Sequence, residues 1–285
     1  MADLTVIILA QNEEKNIERS VSSVIGIAKR VVVVDSGSTD DTCALAEKCG
    51  AEVVCHNPFV NYATQFNWAL DNIGVDTKWV LRLDADEQIS AELAAEMETA
   101  LIEHDADDVN GFEVRCRIIF MGRWIKHGGT YPLVIPRLFR HGYGKVEMRK
   151  MDEHTLIDGK VLCFKNDLIH YDFKGLHPWI EKHNNYSVRE CQDFFERNQQ
   201  LNGQMQGSII GNQRQRKRYL KNGVYYNLPK FWRAWVYYVY RYYIRLGFLD
   251  GYEGKIFCFL QAYWYRFLVD AKIYEAEMLE KKTKE

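Results

Sequence analysis

No uncharged stretch of this 285-residue chain reaches the roughly 18 to 20 apolar residues that a membrane-spanning helix needs, so a conventional span is excluded. The N-terminus, Met1-Ala2-Asp3-Leu4-Thr5, lacks the basic region and long apolar core of a signal peptide. The seven cysteines, Cys43, Cys49, Cys55, Cys116, Cys163, Cys191 and Cys258, are odd in number and form no Cys-x-x-Cys pair. This argues against a zinc site or a disulfide framework, and for reduced thiols in a cytosolic setting. A net charge of −2 gives no global attraction to nucleic acid. No internal repeat is present.

What is there suits a large core. Hydrophobic residues make up 47% and aromatics 13%, enough for one large domain or one domain with an appendage. Val6 to Ala10 is a short β-branched run that reads as a buried parallel strand, followed from Gln11 to about Ile27 by a segment with helical apolar spacing at Ile17, Val21, Val24 and Ile25. Val31 to Val34 is a second buried strand, ending in the small-residue loop Asp35 to Thr42. A helix through Cys49, a strand at Glu52 to Cys55, a helix from about Tyr62 to Asn72 and a strand at Trp79 to Leu83 follow. Such alternation indicates a doubly wound sheet, whose ligands sit outside the carboxyl ends of the strands. Further on, Gly111 to Arg115 and Arg137 to Arg140 read as short strands in a middle region ending near His170, and the chain turns helical after Gly175. A soft boundary is expected near Gly203 to Gly211.

Three polar clusters stand just after these strands: Asn12 and Glu13, Asp35, and Asp84-Ala85-Asp86. Two carboxylates one residue apart at a strand end can reach a single hard cation and the phosphate oxygens it holds. Asp-x-Asp alone is a weak signal, because most copies are solvated loop acids. Convergence of the three clusters on one crevice is what strengthens it.

In order and spacing, Thr5 to Glu14, Val33 to Asp40, Gln65-Phe66-Asn67-Trp68-Ala69 and Leu83 to Glu87 resemble the inverting glycosyltransferases of family 2, covering roughly the first 90 residues. Arg137-Leu138-Phe139-Arg140, Asp152-Glu153-His154 and Leu249 to Gly254 resemble the branch that adds sugars to the lipopolysaccharide core and related glycolipids. The resemblance implies the GT-A fold, an α/β Rossmann-like, mostly parallel sheet flanked by helices. It implies a catalytic domain over residues 1–205, with a nucleotide-sugar half at 1–100 and an acceptor-side half at 101–205. A helical, aromatic and basic extension would span 206–285. It also implies a UDP-sugar donor and a divalent cation, Mg²⁺ or Mn²⁺. Asp86 would contact the metal, with Asp84 on the ribose, the metal or its water shell. Asp35 would accept from the uracil imide, the competing reading being a turn former before Gly37. Glu13 would meet the ribose hydroxyls, and Ala10, Asn12, Gln65, Asn67 and Ala85 would complete the donor pocket.

Inversion requires a base that deprotonates the acceptor hydroxyl in line with the departing diphosphate. Adjacent Asp152 and Glu153 point opposite ways in an extended segment, so one faces the acceptor. The resemblance favours Glu153, although Asp152 stands where the related branch has a histidine. The competing reading makes both surface acids. His170-Tyr171, His177 and Lys182 to Ser187 also resemble the branch near its acceptor side, with His170 a structural or acceptor-binding residue rather than a zinc ligand.

Between Asn198 and Leu249 there is no Asp or Glu, while Lys and Arg recur and aromatics crowd Phe231 to Arg245. At about 100° per residue, Lys230, Arg233, Arg241 and Arg245 fall on one helical face. That predicts an in-plane helix docking on the inner leaflet. The rival readings are packing into the domain or a homo-oligomer interface, and stacking on single-stranded nucleic acid, which the donor-site motifs disfavour. The resulting expectation is a cytoplasmic, peripherally membrane-associated, metal-dependent hexosyltransferase. It would act on a glycolipid or oligosaccharide acceptor. A nucleotidyltransferase is disfavoured because no glycine-rich basic loop opens the chain; a catalytically silent membrane-bound scaffold is the other alternative.

Overall fold

The computed structural model describes residues 1–56, 58–148, 154–199, 223 and 225–284. The chain divides into two compact units, Met1–Lys126 with Thr130–Gly175, and His127–Gly129 with Leu176–Glu285.

The first unit is built on one twisted sheet. Strands β1 (Ala2–Ala10), β2 (Ala28–Asp35), β3 (Glu52–Cys55) and β4 (Trp79–Asp84) run parallel in the order β3-β2-β1-β4. Helices α1 (Ile17–Ser22), α2 (Thr42–Lys48) and α3 (Tyr62–Asn72) connect them. Beyond them come β5 (Glu87–Ile89), α4 (Ala91–Glu103), β6 (Val109–Phe120), β7 (Arg123–Trp124) and β8 (Leu133–Arg140). A separate two-stranded ladder pairs β9 (Gly144–Val146) with β10 (Thr155–Ile157), and β11 (Lys160–His170) completes the main sheet. From β4 the sheet continues β8-β6-β11-β5, with β8 and β5 antiparallel to their neighbours. This is the mixed α/β architecture expected of the GT-A fold.

The unbroken apolar runs follow from burial on both faces. Val6, Ile8, Val31, Val33, Leu81 and Leu83 pack under Ile17, Val21, Leu93 and Met97. The alternate residues Ile7, Leu9, Val32, Val34 and Val80 pack under Phe66, Ala63 and Ala69 of α3. The helix after β1 is shorter than its apolar period implies. Residues 11–16 are spent on a loop instead: Asn12 sits at φ +54°, and Thr39 N–H donates to its side-chain oxygen at 2.8 Å.

The second unit is helical: α5 (Leu176–Gln199), α6 (Trp232–Val239), a π-helical turn at Tyr240–Ile244, α7 (Gly251–Cys258), a second π-helical segment at Phe259–Trp264, and α8 (Tyr265–Lys284). Helices α5 and α8 share a core of Cys191, Tyr265, Val269 and Ile273. Glu190, itself buried, accepts from Tyr226, Tyr265 and Arg266. The expected boundary at 205/206 lies outside the described residues, and α5 groups with the second unit.

Of the four cations of the expected docking face, three are engaged within the unit and Arg245 is exposed. Arg233 is 1% exposed and bonds Asp270, Arg241 is 9% exposed and donates to Gly128 O, and Lys230 pairs with Glu277. Their partners, 37 or 47 residues ahead or on another loop, turn these cations into the unit. Within the Leu249-to-Gly254 motif, Asp250 and Gly254 hold local structure. Asp250 accepts from His127 N–H at 2.8 Å and lies 2.6 Å from its Nδ1. A Cβ on Gly254 would stand 2.5 Å from Asp250 Cβ.

Candidate active site

The carboxyl ends of three neighbouring strands bring the first polar clusters together. Leu9 of β1 stands beside Asp84 of β4, and Ala10 stands beside Asp35 of β2. Ala10 and Ala85 are buried, and the Ala10 carbonyl accepts from Ser36 N–H at 3.0 Å.

Asp35 closes its own loop. Its carboxylate accepts from Gly37 N–H at 2.8 Å, Ser38 N–H at 2.9 Å and the Ser38 hydroxyl at 2.5 Å, and the residue is 2% exposed. Gly37 is at φ +88°, a conformation that favours glycine. The turn-forming reading of Asp35 is thus realised, and a base contact would use its remaining lone pairs. Gln65 donates to Val34 O at 3.1 Å and so fixes the end of β2. Asn67 makes a reciprocal pair with β9, donating to Val146 O at 2.8 Å and accepting from Val146 N–H at 2.9 Å. That strand leads into the segment carrying Asp152 and Glu153. Both acids lie outside the described residues, while the flanks close by β9–β10 pairing and a Glu147 N–H bond to His154 O.

Asp84 and Asp86 have different surroundings. Arg137 of β8 donates to Asp84 at 2.7 Å and to Glu87 at 2.5 Å, and Arg82 lies 3.8 Å from Asp84. Burial pushes the Asp84 carboxyl upward, but the two guanidinium groups outweigh it and hold the group below its ordinary value. Burial, reinforced by Asp84, pushes Glu87 up to about 7 against the pull of Arg137. Asp86 is aligned by strand pairing instead. Glu87 is paired with His170 in the β5–β11 ladder, Tyr171 N–H donates to Asp86 O, and His170 Nε2 lies 3.2 Å from Asp86 Oδ2.

Glu13 faces this group. Lys174 Nζ donates to it at 2.6 Å and Asn16 at 2.7 Å. Burial raises the Glu13 pKa, with the Asp86 charge adding to the effect and Lys174 opposing it. Asn16 also donates to Asp172 and accepts from Phe173 N–H, so the segment after β11 is tied to the start of α1. A cleft at the Asp86 side is lined by Asn16, Arg19, Ala85, Asp86, Tyr171 and Phe173.

Asp86 Oδ2 and His170 Nε2 are the two groups here that could hold a divalent cation, a carboxylate and an imidazole, leaving other positions for phosphate oxygens and water. Among the described residues no group of three or more His, Cys, Asp or Glu has ligand spacing. The carboxylate of Asp84 accepts from Arg137. Neither Arg137 nor Lys174 was among the expected site residues. A charged residue within an apolar strand, as in Arg137-Leu138-Phe139, was the available signal for the first.

The sequence model for "Glycosyl transferase family 2" matches residues 5–168, the span that holds every described residue of this cluster except Asp86's neighbour His170 and the segment after it. The chain belongs to glycosyl transferase family 2. A glycosyltransferase of Rickettsia conorii is 29% identical over 207 residues, 70% of this chain and 72% of the relative. A lipopolysaccharide core biosynthesis glycosyltransferase of Rhizobium meliloti is 28% identical over 191 residues, 65% of this chain and 69% of the relative. Among solved structures, glucosyl-3-phosphoglycerate synthase from Mycobacterium tuberculosis, in complex with Mn²⁺, uridine diphosphate and glucosyl-3-phosphoglycerate, is 22% identical. It covers 41% of this chain and 44% of that one, with a TM-score of 0.34. Glycosyl transfer is therefore the reaction class, and the strand-end cluster is its candidate centre.

Proposed function

We propose that this family 2 glycosyltransferase moves a hexose or N-acetylhexosamine from a UDP-sugar, with inversion, onto a lipid-linked or lipopolysaccharide-core saccharide. The carrying observation is the 3.2 Å Asp86–His170 approach at the sheet edge, beside an Asp84 carboxylate held ionised by Arg137. Likeness to the Rhizobium meliloti enzyme supports the acceptor class.

Asp86 and His170 would hold a divalent cation, which when bound stabilises the negative charge that builds on a departing diphosphate. Asp84 orients the ribose or the ion's water shell, Glu13 takes a ribose hydroxyl, and Asp35 accepts from the uracil imide. Glu153, with Asp152 as the alternative, accepts the acceptor's hydroxyl proton. The acceptor oxygen forms a bond to the anomeric carbon as the bond from that carbon to the diphosphate oxygen breaks, with the electron pair leaving on the diphosphate.

Thermal-shift titration with UDP tests this reading. Stabilisation should require Mn²⁺ or Mg²⁺ and vanish in Asp86→Asn. Metal-independent UDP binding that survives Asp86→Asn would remove the proposed centre. Glu153→Gln should keep UDP binding and lose transfer; a full rate in that variant moves the base elsewhere.

A further inference from the structure

The second unit turns an aromatic face to solvent. Along α6 and the π-helical turn after it, Trp232, Trp235, Val236, Tyr240, Tyr243 and Ile244 are all exposed, Trp232 by 68% and Ile244 by 67%. Their offsets of 0, 3, 4, 8, 11 and 12 residues define one helical stripe. Ala234 and Arg241, on the opposite side, are buried, as is Arg233 at the first turn. Tyr252 in the first turn of α7 is also exposed, by 81%. An apolar patch of this continuity marks a contact surface.

Its charge identifies the occupant. Between 232 and 256 the exposed charges are Arg245 and Lys255, both cations, while Asp250 is buried against His127 and Glu253 is half-buried. A second copy docked about a two-fold axis would set this patch against itself, cations facing cations with only the half-buried Glu253 in the stretch to offset them. An anionic lipid surface supplies the missing charge. Four of the six stripe residues are Trp or Tyr, whose rings pair an apolar body with an N–H or O–H suited to the headgroup level.

We infer that this face seats on an anionic bilayer, with the α6 segment lying in the plane of the interface and its aromatic rings at the headgroups. Among the described residues no helix is long and apolar enough to cross. The contact is therefore made by rings and by Arg245 and Lys255, not by the inward-turned Arg233 and Arg241. The inference does not rest on the donor chemistry, and its test reads lipid binding alone.

The full chain is sedimented with vesicles of phosphatidylcholine, with or without phosphatidylglycerol. The wild type should partition onto the anionic vesicles at low salt, with a blue shift of tryptophan emission, and release as salt rises. The pair W235Q/I244Q should lower the partition coefficient by about tenfold or more through lost apolar contact. The pair R245E/K255E should lower it by about tenfold or more on anionic vesicles. Because all four side chains are exposed, both variants should melt with the wild type. Absence of wild-type binding at low salt, or unchanged binding by W235Q/I244Q, overturns the inference. So does a dimer that W235Q/I244Q splits in sedimentation equilibrium, or retention by a single-stranded oligonucleotide with no vesicle binding.

Discussion

A single guanidinium nitrogen of Arg137 holds Asp84 at 2.7 Å and Glu87 at 2.5 Å, so one cation on β8 organises two acids flanking the proposed ligand Asp86. Arg137→Met leaves two packed carboxylates with Arg82 as the nearby cation, and removing one partner of a buried pair costs about 3–5 kcal/mol. The melting temperature should fall, and UDP affinity should weaken because Asp84 loses its fixed orientation. Arg137→Lys, a point charge without the planar fork, should recover part of both. Unweakened UDP binding by folded Arg137→Met would show that Asp84 needs no such restraint.

Arg233 and Asp270 form the corresponding pair of the second unit, 1% and 0% exposed at their side chains. Asp270 also accepts from Phe231 N–H at 2.7 Å. Asp270→Leu strands a buried guanidinium and should destabilise by about 3–5 kcal/mol. The double variant Arg233→Met/Asp270→Leu should regain most of that loss. Chemical denaturation of the two variants checks it; a double variant no better than the single would mean that the Phe231 cap, not the ion pair, carries the stability.

His183 gives a pH dependence of known sign. Its Nδ1 lies 2.8 Å from Trp179 O and its Nε2 3.0 Å from the Gln261 amide nitrogen, an arrangement met by a neutral ring protonated on Nδ1. Burial pushes its pKa down to about 4 from the ordinary 6.5. Between those values the unfolded chain binds the proton and the folded one does not, so stability is full above 6.5 and is lost as pH falls toward 4. The contribution is about 1–3 kcal/mol once solvent at its partly exposed edge is allowed for. Denaturant midpoints at about pH 7 and about pH 5 should differ less in His183→Gln than in the wild type. Equal pH slopes in the two proteins would contradict the neutral buried ring.

Gly254 and Gly26 should respond in opposite ways to alanine. A methyl at Gly254 would meet Asp250 Cβ at 2.5 Å and Gly247 O at 2.8 Å, whereas nothing lies within 4 Å of one at Gly26. Overpacking should cost Gly254→Ala about 1–3 kcal/mol. Gly26→Ala should be neutral or stabilising by up to about 1 kcal/mol. Matched melting temperatures for the two variants would refute the packing account.

The first four strands and α3 were readable because burial on both faces leaves an unbroken apolar run, and because the 3.6-residue period of α3 is clean at Ala63, Phe66 and Ala69. The strand-end cluster followed from that order. The meeting of Asp86 with His170 could not be read, since it depends on an antiparallel β5–β11 register 84 residues apart in sequence. The three-residue β5 gives too little pattern beside the acidic motif, whereas α4 carries one, with Leu93, Met97, Ala100 and Leu101 at helical spacing behind the Ser90 cap. Arg233 and Arg241 were misplaced for a related reason: helical spacing gives a face, but whether that face turns in or out depends on Asp270 and on Gly128 O.

Asn67 has a further consequence. Its amide grips the main chain of Val146 on both sides, so the root of the Glu147-to-His154 segment is pegged to α3 whatever side chains that segment carries. Substitutions that leave Asn67 and the Val146 main chain in place should therefore leave the hold of α3 on β9 intact.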